Sequence, residues 1–145
     1  MTDAVQRRDR VRVAAAGDLH CREANAEQVG EAFRSIAPEA DLILLAGDLT
    51  THGEPAQAEF LARACAGIEV PVVAVLGNHD FHCNRAQELT AALDGAGVTV
   101  LDRASQVFDV SGIEVGVVGV KGFVVGFAGS HLPDFGEPLL REVYR

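Results

Sequence analysis

Three polar clusters close three apolar runs along the chain: Gly17-Asp18-Leu19-His20, Gly47-Asp48 and Gly77-Asn78-His79-Asp80. Carboxylates, imidazoles and an amide oxygen are donors that hold hard and borderline metal ions. Asp18 and His20 are two residues apart, a spacing that in extended backbone projects both side chains to one side, where they can share one ion. Asp48 follows a separate apolar run, and its two oxygens suit it to bridge two ions about 3.5–4 Å apart. Asn78 offers a second ion a neutral oxygen. His79, its neighbour, does not point readily at that ion and is free to face a substrate, where it stabilises developing charge or protonates a leaving oxygen. Asp80, last in the third cluster, is read as a supporting residue. A single Gly-Asp is commonly no more than a turn after a strand, so the weight lies on three such clusters in order.

The elements that must position these clusters alternate. Residues 11–16 read as a strand buried on both faces, ending in Gly17-Asp18. A helix follows, with Asn25 and Gln28 as a capping box, Val29, Phe33 and Ile36 at helical spacing, and Pro38 as its stop. Residues 42–46 repeat the strand and end in Gly47-Asp48, and Pro55 opens a helix to about residue 66. A third strand, 72–76, reaches Gly77, and Asn84 with Gln87 forms another capping box before a helix through Leu89 and Leu93. Three strand-loop-helix cycles predict a parallel βαβαβα sheet with right-handed crossovers. All three clusters then follow carboxyl ends of strands on one sheet edge, where open α/β sheets bind ligands. After Gly97 the helices cease, and 98–101, 107–110 and 113–118 read as short antiparallel strands, with Ser111-Gly112 as a hairpin turn. Residues 119–136 are glycine-rich and read as a surface loop.

A chain of 145 residues fits one domain, 1–145, large enough for a real core. A net charge of -9 with a single lysine, Lys121, excludes a duplex-binding face, which needs clustered cations. A small phosphorylated substrate stays compatible with that charge, because bound dications reverse the local field of an acidic pocket. Lys121 itself reads as a solvated loop charge in preference to a phosphate contact. Three cysteines, Cys21, Cys65 and Cys83, form no regular framework and read as reduced thiols. The charged stretch from Met1 to Arg10 is followed by only a short apolar run. That is neither a secretory signal nor a bilayer span, so a cytoplasmic protein with no membrane partner is expected. The composition carries no signal of oligomeric state.

Taken together, the clusters resemble the calcineurin-like metallophosphoesterase superfamily, whose amino-terminal signature is Asp-x-His, then Gly-Asp, then Gly-Asn-His-Asp or Gly-Asn-His-Glu. The resemblance covers about residues 11–122. It implies a four-layer α/β/β/α sandwich, of which this chain is the amino-terminal portion. It also implies two divalent or trivalent ions, Mn, Fe or Zn, with Asp18 and His20 on the first, Asp48 bridging, Asn78 on the second and His79 facing the phosphoryl group. The implied reaction is hydrolysis of a phosphomonoester or phosphodiester by in-line attack of a metal-bound hydroxide at a dinuclear site.

Two departures narrow these expectations. The phosphoprotein phosphatase branch follows Gly-Asp with a pattern ending Asp-Arg-Gly, whereas this chain has Leu49-Thr50-Thr51-His52-Gly53. The phosphate-binding Arg and the Asp that supports the catalytic His are thus replaced by His52 and Thr51, which favours the broader group carrying Gly-Asp-Leu-Thr. The family also has a later strand-end His and a Gly-His-x-His. Neither is present, and His131, the one histidine after His82, reads as a surface residue of the glycine-rich run. The first ion then has three protein ligands and the second only two. This predicts a chain truncated at its carboxyl end and impaired in activity. The alternative is a non-catalytic partial module that binds at most one ion. A structural zinc site from His20-Cys21 and His82-Cys83 is disfavoured, because adjacent residues in extended backbone face opposite ways and there is no C-x-x-C.

Overall fold

A computed structural model describes residues 9–122. The first eight residues, and His131 with most of the glycine-rich run, lie outside the described residues. Four strands, β1 (Val13–Ala16), β2 (Leu42–Ala46), β3 (Val72–Val75) and β4 (Val98–Val100), form one parallel sheet in the order β1-β2-β3-β4. Helices α1 (Ala26–Ile36), α2 (Pro55–Cys65) and α3 (Ala86–Gly95) make the crossovers. Sequential order with right-handed crossovers sends every helix to the same face, so α2 packs between α1 and α3.

The period-2 alternation of the strands sorts the core into two clusters. Ile43, Leu45, Val72, Ala74 and Val98 face the helices and meet Phe33, Ala58, Leu61, Leu89 and Leu93. Leu42 and Val73 face the other way, where with Leu101 they pack against Phe108, Val115 and Val117. Those last residues belong to an antiparallel hairpin, β5 (Ala104–Val110) and β6 (Ile113–Gly119), which forms a second sheet over the first. Ser111 and Gly112 both have positive φ, 54° and 83°, as a two-residue type I′ turn requires. The described residues thus supply three layers of the expected sandwich: helices, parallel sheet and hairpin.

Several local expectations change. Residues 98–101 do not open the antiparallel part. β4 pairs in parallel with β3, because α3 carries the chain back to the start of the sheet. β1 begins at Val13 and is mostly exposed rather than buried on both faces, since it lies at the sheet edge. Neither asparagine caps its helix with its side chain. Asn25 instead holds the loop before it, accepting from the Arg22 N–H at 2.8 Å and donating to the carbonyls of Leu19 and His20 at 3.4 and 3.3 Å. Asn84 sits in left-handed backbone one residue too early, and Arg85 begins α3 with a two-pronged ion pair to Glu88.

Cys21 and Cys65 are buried and Cys83 is exposed. Burial pushes the Cys65 thiol up to about 12, reinforced by nearby Cys21, and burial also raises Cys21. A raised thiol stays protonated and unreactive near neutral pH. Labelling the folded chain with a thiol reagent at pH 7.5 should therefore modify Cys83 alone, and labelling the denatured chain should modify all three. Mass spectrometry reads the difference directly.

Candidate metal centre

The loops after β1, β2 and β3 do not diverge where the strands end. The Asp18 N–H donates to the Gly47 carbonyl at 3.1 Å, His20 N–H to Asp48 O at 2.9 Å and Cys21 N–H to Leu49 O at 2.8 Å. Parallel pairing thus continues past the sheet and fixes the first cluster against the second. Asp80 fixes the second against the third. Its carboxylate is fully buried and accepts from Leu49 N at 3.0 Å, Thr50 N at 2.8 Å, Thr50 Oγ1 at 2.6 Å and Gly77 N at 2.8 Å. A buried charge needs such donors, and four of them from two loops make Asp80 a fastener.

Glycine is required where the clusters touch. A Cβ on Gly77 would collide with the backbone nitrogen and carboxylate of Asp48, so this carboxylate lies directly over the third cluster. A Cβ on Gly53 would collide with the Asp80 carbonyl. Asp18, His20 and Asp48 are all in the left-handed region, at φ 53°, 43° and 50°. Non-glycine residues rarely adopt that conformation, and it clusters where side chains must be aimed. The expectation that Asp18 and His20 align through extended backbone is corrected here. They face each other, with His20 Nε2 3.9 Å from Asp18 Oδ1, but across left-handed turns.

His20, Asp48 and His79 bring ligand atoms within 4.8 Å of one another, a group able to hold a metal ion. His79 thus reaches closer to the ligands than its position beside Asn78 suggests. The third cluster does not run on as a strand but coils into a 3-10 turn, His79–Phe81. Asp48 Oδ1 accepts from the His79 N–H at 2.9 Å, which leaves Oδ2 and one lone pair of Oδ1 for ions. Asp18, Asp48 and Asn78 line one cleft of about 350 Å³ together with Gly77, Val120 and Lys121. Asp48 belongs both to this cleft and to the group with the two imidazoles, and two carboxylates, two imidazoles and an amide oxygen so linked are a donor set that fits a hard or borderline ion.

Three features of the site escape a reading of the sequence. The first is Thr51, whose carbonyl lies 2.9 Å from His79 Nδ1. A carbonyl only accepts, so Nδ1 carries the hydrogen and Nε2 is the nitrogen that exchanges a proton or binds a ligand. The support lost with the missing aspartate is thereby supplied by main chain. The second is His82, whose ring lies 4.5 Å from that of His79, while His20 meets His79 edge-on at 4.6 Å. Only the spacing His79-x-x-His82 hints at this. The third is the place of Lys121, a partly exposed loop residue just past β6 that also lines the metal cleft. Cys21 is fully buried and Cys83 exposed, which does not assemble the paired Cys-His zinc site.

Among the described residues no helix is long and apolar enough to cross a membrane. A search of curated proteins finds no match. The model of the calcineurin-like phosphoesterases matches residues 11–140, a span that holds all three clusters and the hairpin. Strand-end clusters fastened by Asp80, a metal-capable group and this match agree, and the chain belongs to the calcineurin-like phosphoesterase family.

Proposed function

We propose that this chain is a metal-dependent phosphoesterase acting on small phosphomonoesters or phosphodiesters at a dinuclear site. The observation that carries the reading is the convergence of His20, Asp48 and His79 within 4.8 Å, with Asp48 also lining the cleft that holds Asp18 and Asn78. Asp18 and His20 would hold one ion, Asp48 both, and Asn78 the second. When bound, the ions activate water as a nucleophile and draw charge from the phosphoryl oxygens.

The chain's own groups do the rest. Asp48 keeps its carboxylate between the two halves of the site through the His79 N–H. His79 is oriented by the Thr51 carbonyl, so its Nε2, in the imidazolium form, would give its proton to the leaving oxygen as the P–O bond breaks. Thr51 Oγ1 donates to the His20 carbonyl at 2.9 Å and so ties the first cluster to the loop that aims His79.

The test is hydrolysis of aryl phosphate mono- and diesters by the metal-free chain and after addition of Mn, Zn or Fe. Turnover that appears only with metal is expected. His79→Gln should then keep its metal content and lose turnover, whereas a loss of metal equal to that of Asp48→Asn would make His79 a ligand instead. A chain that fills its site and hydrolyses neither ester class would be the non-catalytic module.

A further inference from the structure

We infer that Lys121 is the substrate-positioning cation of this site, its ammonium taking a non-bridging oxygen of the phosphate ester. The inference rests on the phosphoesterase reading and names a residue that reading does not use. Lys121 is the one lysine in a chain of net charge -9, and it stands two residues beyond the end of β6. The strand that leads to it is fixed in place. Gly119 packs so tightly that a Cβ there would collide with Leu101 and lie 3.0 Å from Val75, which pins the end of β6 against the end of β3. Two residues further the chain enters the cleft lined by Asp18, Asp48, Gly77 and Asn78.

Lys121 forms the wall between the metal cleft and a second cleft that Phe81 lines, so rotation of its long stem brings the ammonium to either side. Nζ lies 5.5 Å from the centroid of the Phe81 ring, on the turn that begins with His79, and donates to the Gly122 carbonyl at 3.2 Å. The charged groups around it are the carboxylates of Asp18 and Asp48 in this cleft, with Asp94 and Asp102 in the cleft on its other side. Once ions offset Asp18 and Asp48, the ammonium and the ions form one cationic surface, which complements a phosphate ester and no neutral ligand. A flexible four-carbon stem with three donors suits an oxygen whose position varies with the ester.

The test is titration of the Mn-loaded full chain with inorganic phosphate, in wild type, Lys121→Gln and Lys121→Arg, with metal content measured in parallel. Phosphate affinity should fall about tenfold in Lys121→Gln, return to within about threefold in Lys121→Arg, and lose part of its salt dependence in the Gln variant. With aryl phosphate as substrate, KM should rise more than kcat falls, as for a group that binds ground and transition state alike. Wild-type phosphate binding with unchanged affinity in Lys121→Gln overturns the assignment of Lys121 alone. Absence of phosphate binding in the metal-loaded wild type overturns the phosphoesterase reading and this inference with it. A rise in metal affinity in Lys121→Gln at constant phosphate affinity would show that the lysine serves the carboxylates, which also overturns it.

Discussion

Asp80→Ala should lower the stability of the chain by about 3–5 kcal/mol, because it strands two buried backbone N–H groups and a third, half-buried one at about 1–3 kcal/mol each, partly relieved by water entering the vacated space. Those groups are on Leu49, Thr50 and Gly77, and the Thr50 hydroxyl, which still accepts from the Gly53 N–H, loses its acceptor as well. That loss is a large share of a domain's total stability of about 5–15 kcal/mol. Asp80→Asn is a sharper version of the same test, since an amide of equal size must turn its NH2 toward N–H donors whichever way it is placed. Thermal unfolding should show Tm falling by roughly 10 °C or more in both variants. Thr50→Val, which removes one donor to Asp80 and the acceptor of the Gly53 N–H, should cost less, because the three backbone bonds to the carboxylate remain. A small effect of Asp80→Ala would mean that the two loops hold their places without the carboxylate.

Asp48→Asn is expected to leave the fold intact and to reduce metal-dependent turnover on the order of 10²–10⁴-fold, since several kcal/mol of charge stabilisation by metal are at stake. The amide oxygen can still accept from the His79 N–H, and the side chain still clears Gly77, so the structural consequence is slight. What is lost is the negative charge that both ions are read as sharing. Circular dichroism unchanged from wild type, together with the loss of turnover, separates this variant from those of Asp80.

The order of strands and helices was legible because the apolar runs and their glycine ends are local signals. Leu42, Ile43, Leu44 and Leu45 form one unbroken apolar run, and both faces of β2 are covered as such a run requires. The same logic failed for β1, whose exposure depends on its place at the sheet edge, a fact of topology that no local run encodes. The capping boxes failed because Asn25 and Asn84 found other uses for side chain or backbone in the loops that carry the site. Ligand types and their order were legible as well, but their aim was not. The left-handed backbone of Asp18, His20 and Asp48 arises where three loops are fastened together, and the sequence shows only that Asp and His tolerate it. Thr51 was invisible as a functional residue because it acts through its carbonyl, which every residue has. The place of Lys121 was not legible because its neighbours in the chain are glycine and valine, while its neighbours in space are the ends of β2 and β3.

The most direct measurement is the number of metal ions bound per chain, by equilibrium dialysis against Mn or Zn followed by elemental analysis, for wild type and Asp48→Asn side by side. Wild type should retain metal, with turnover on aryl phosphates rising with occupancy, and Asp48→Asn should lose most of both. Equal metal content in the two proteins would contradict the claim that the ends of these three strands build a metal centre around Asp48.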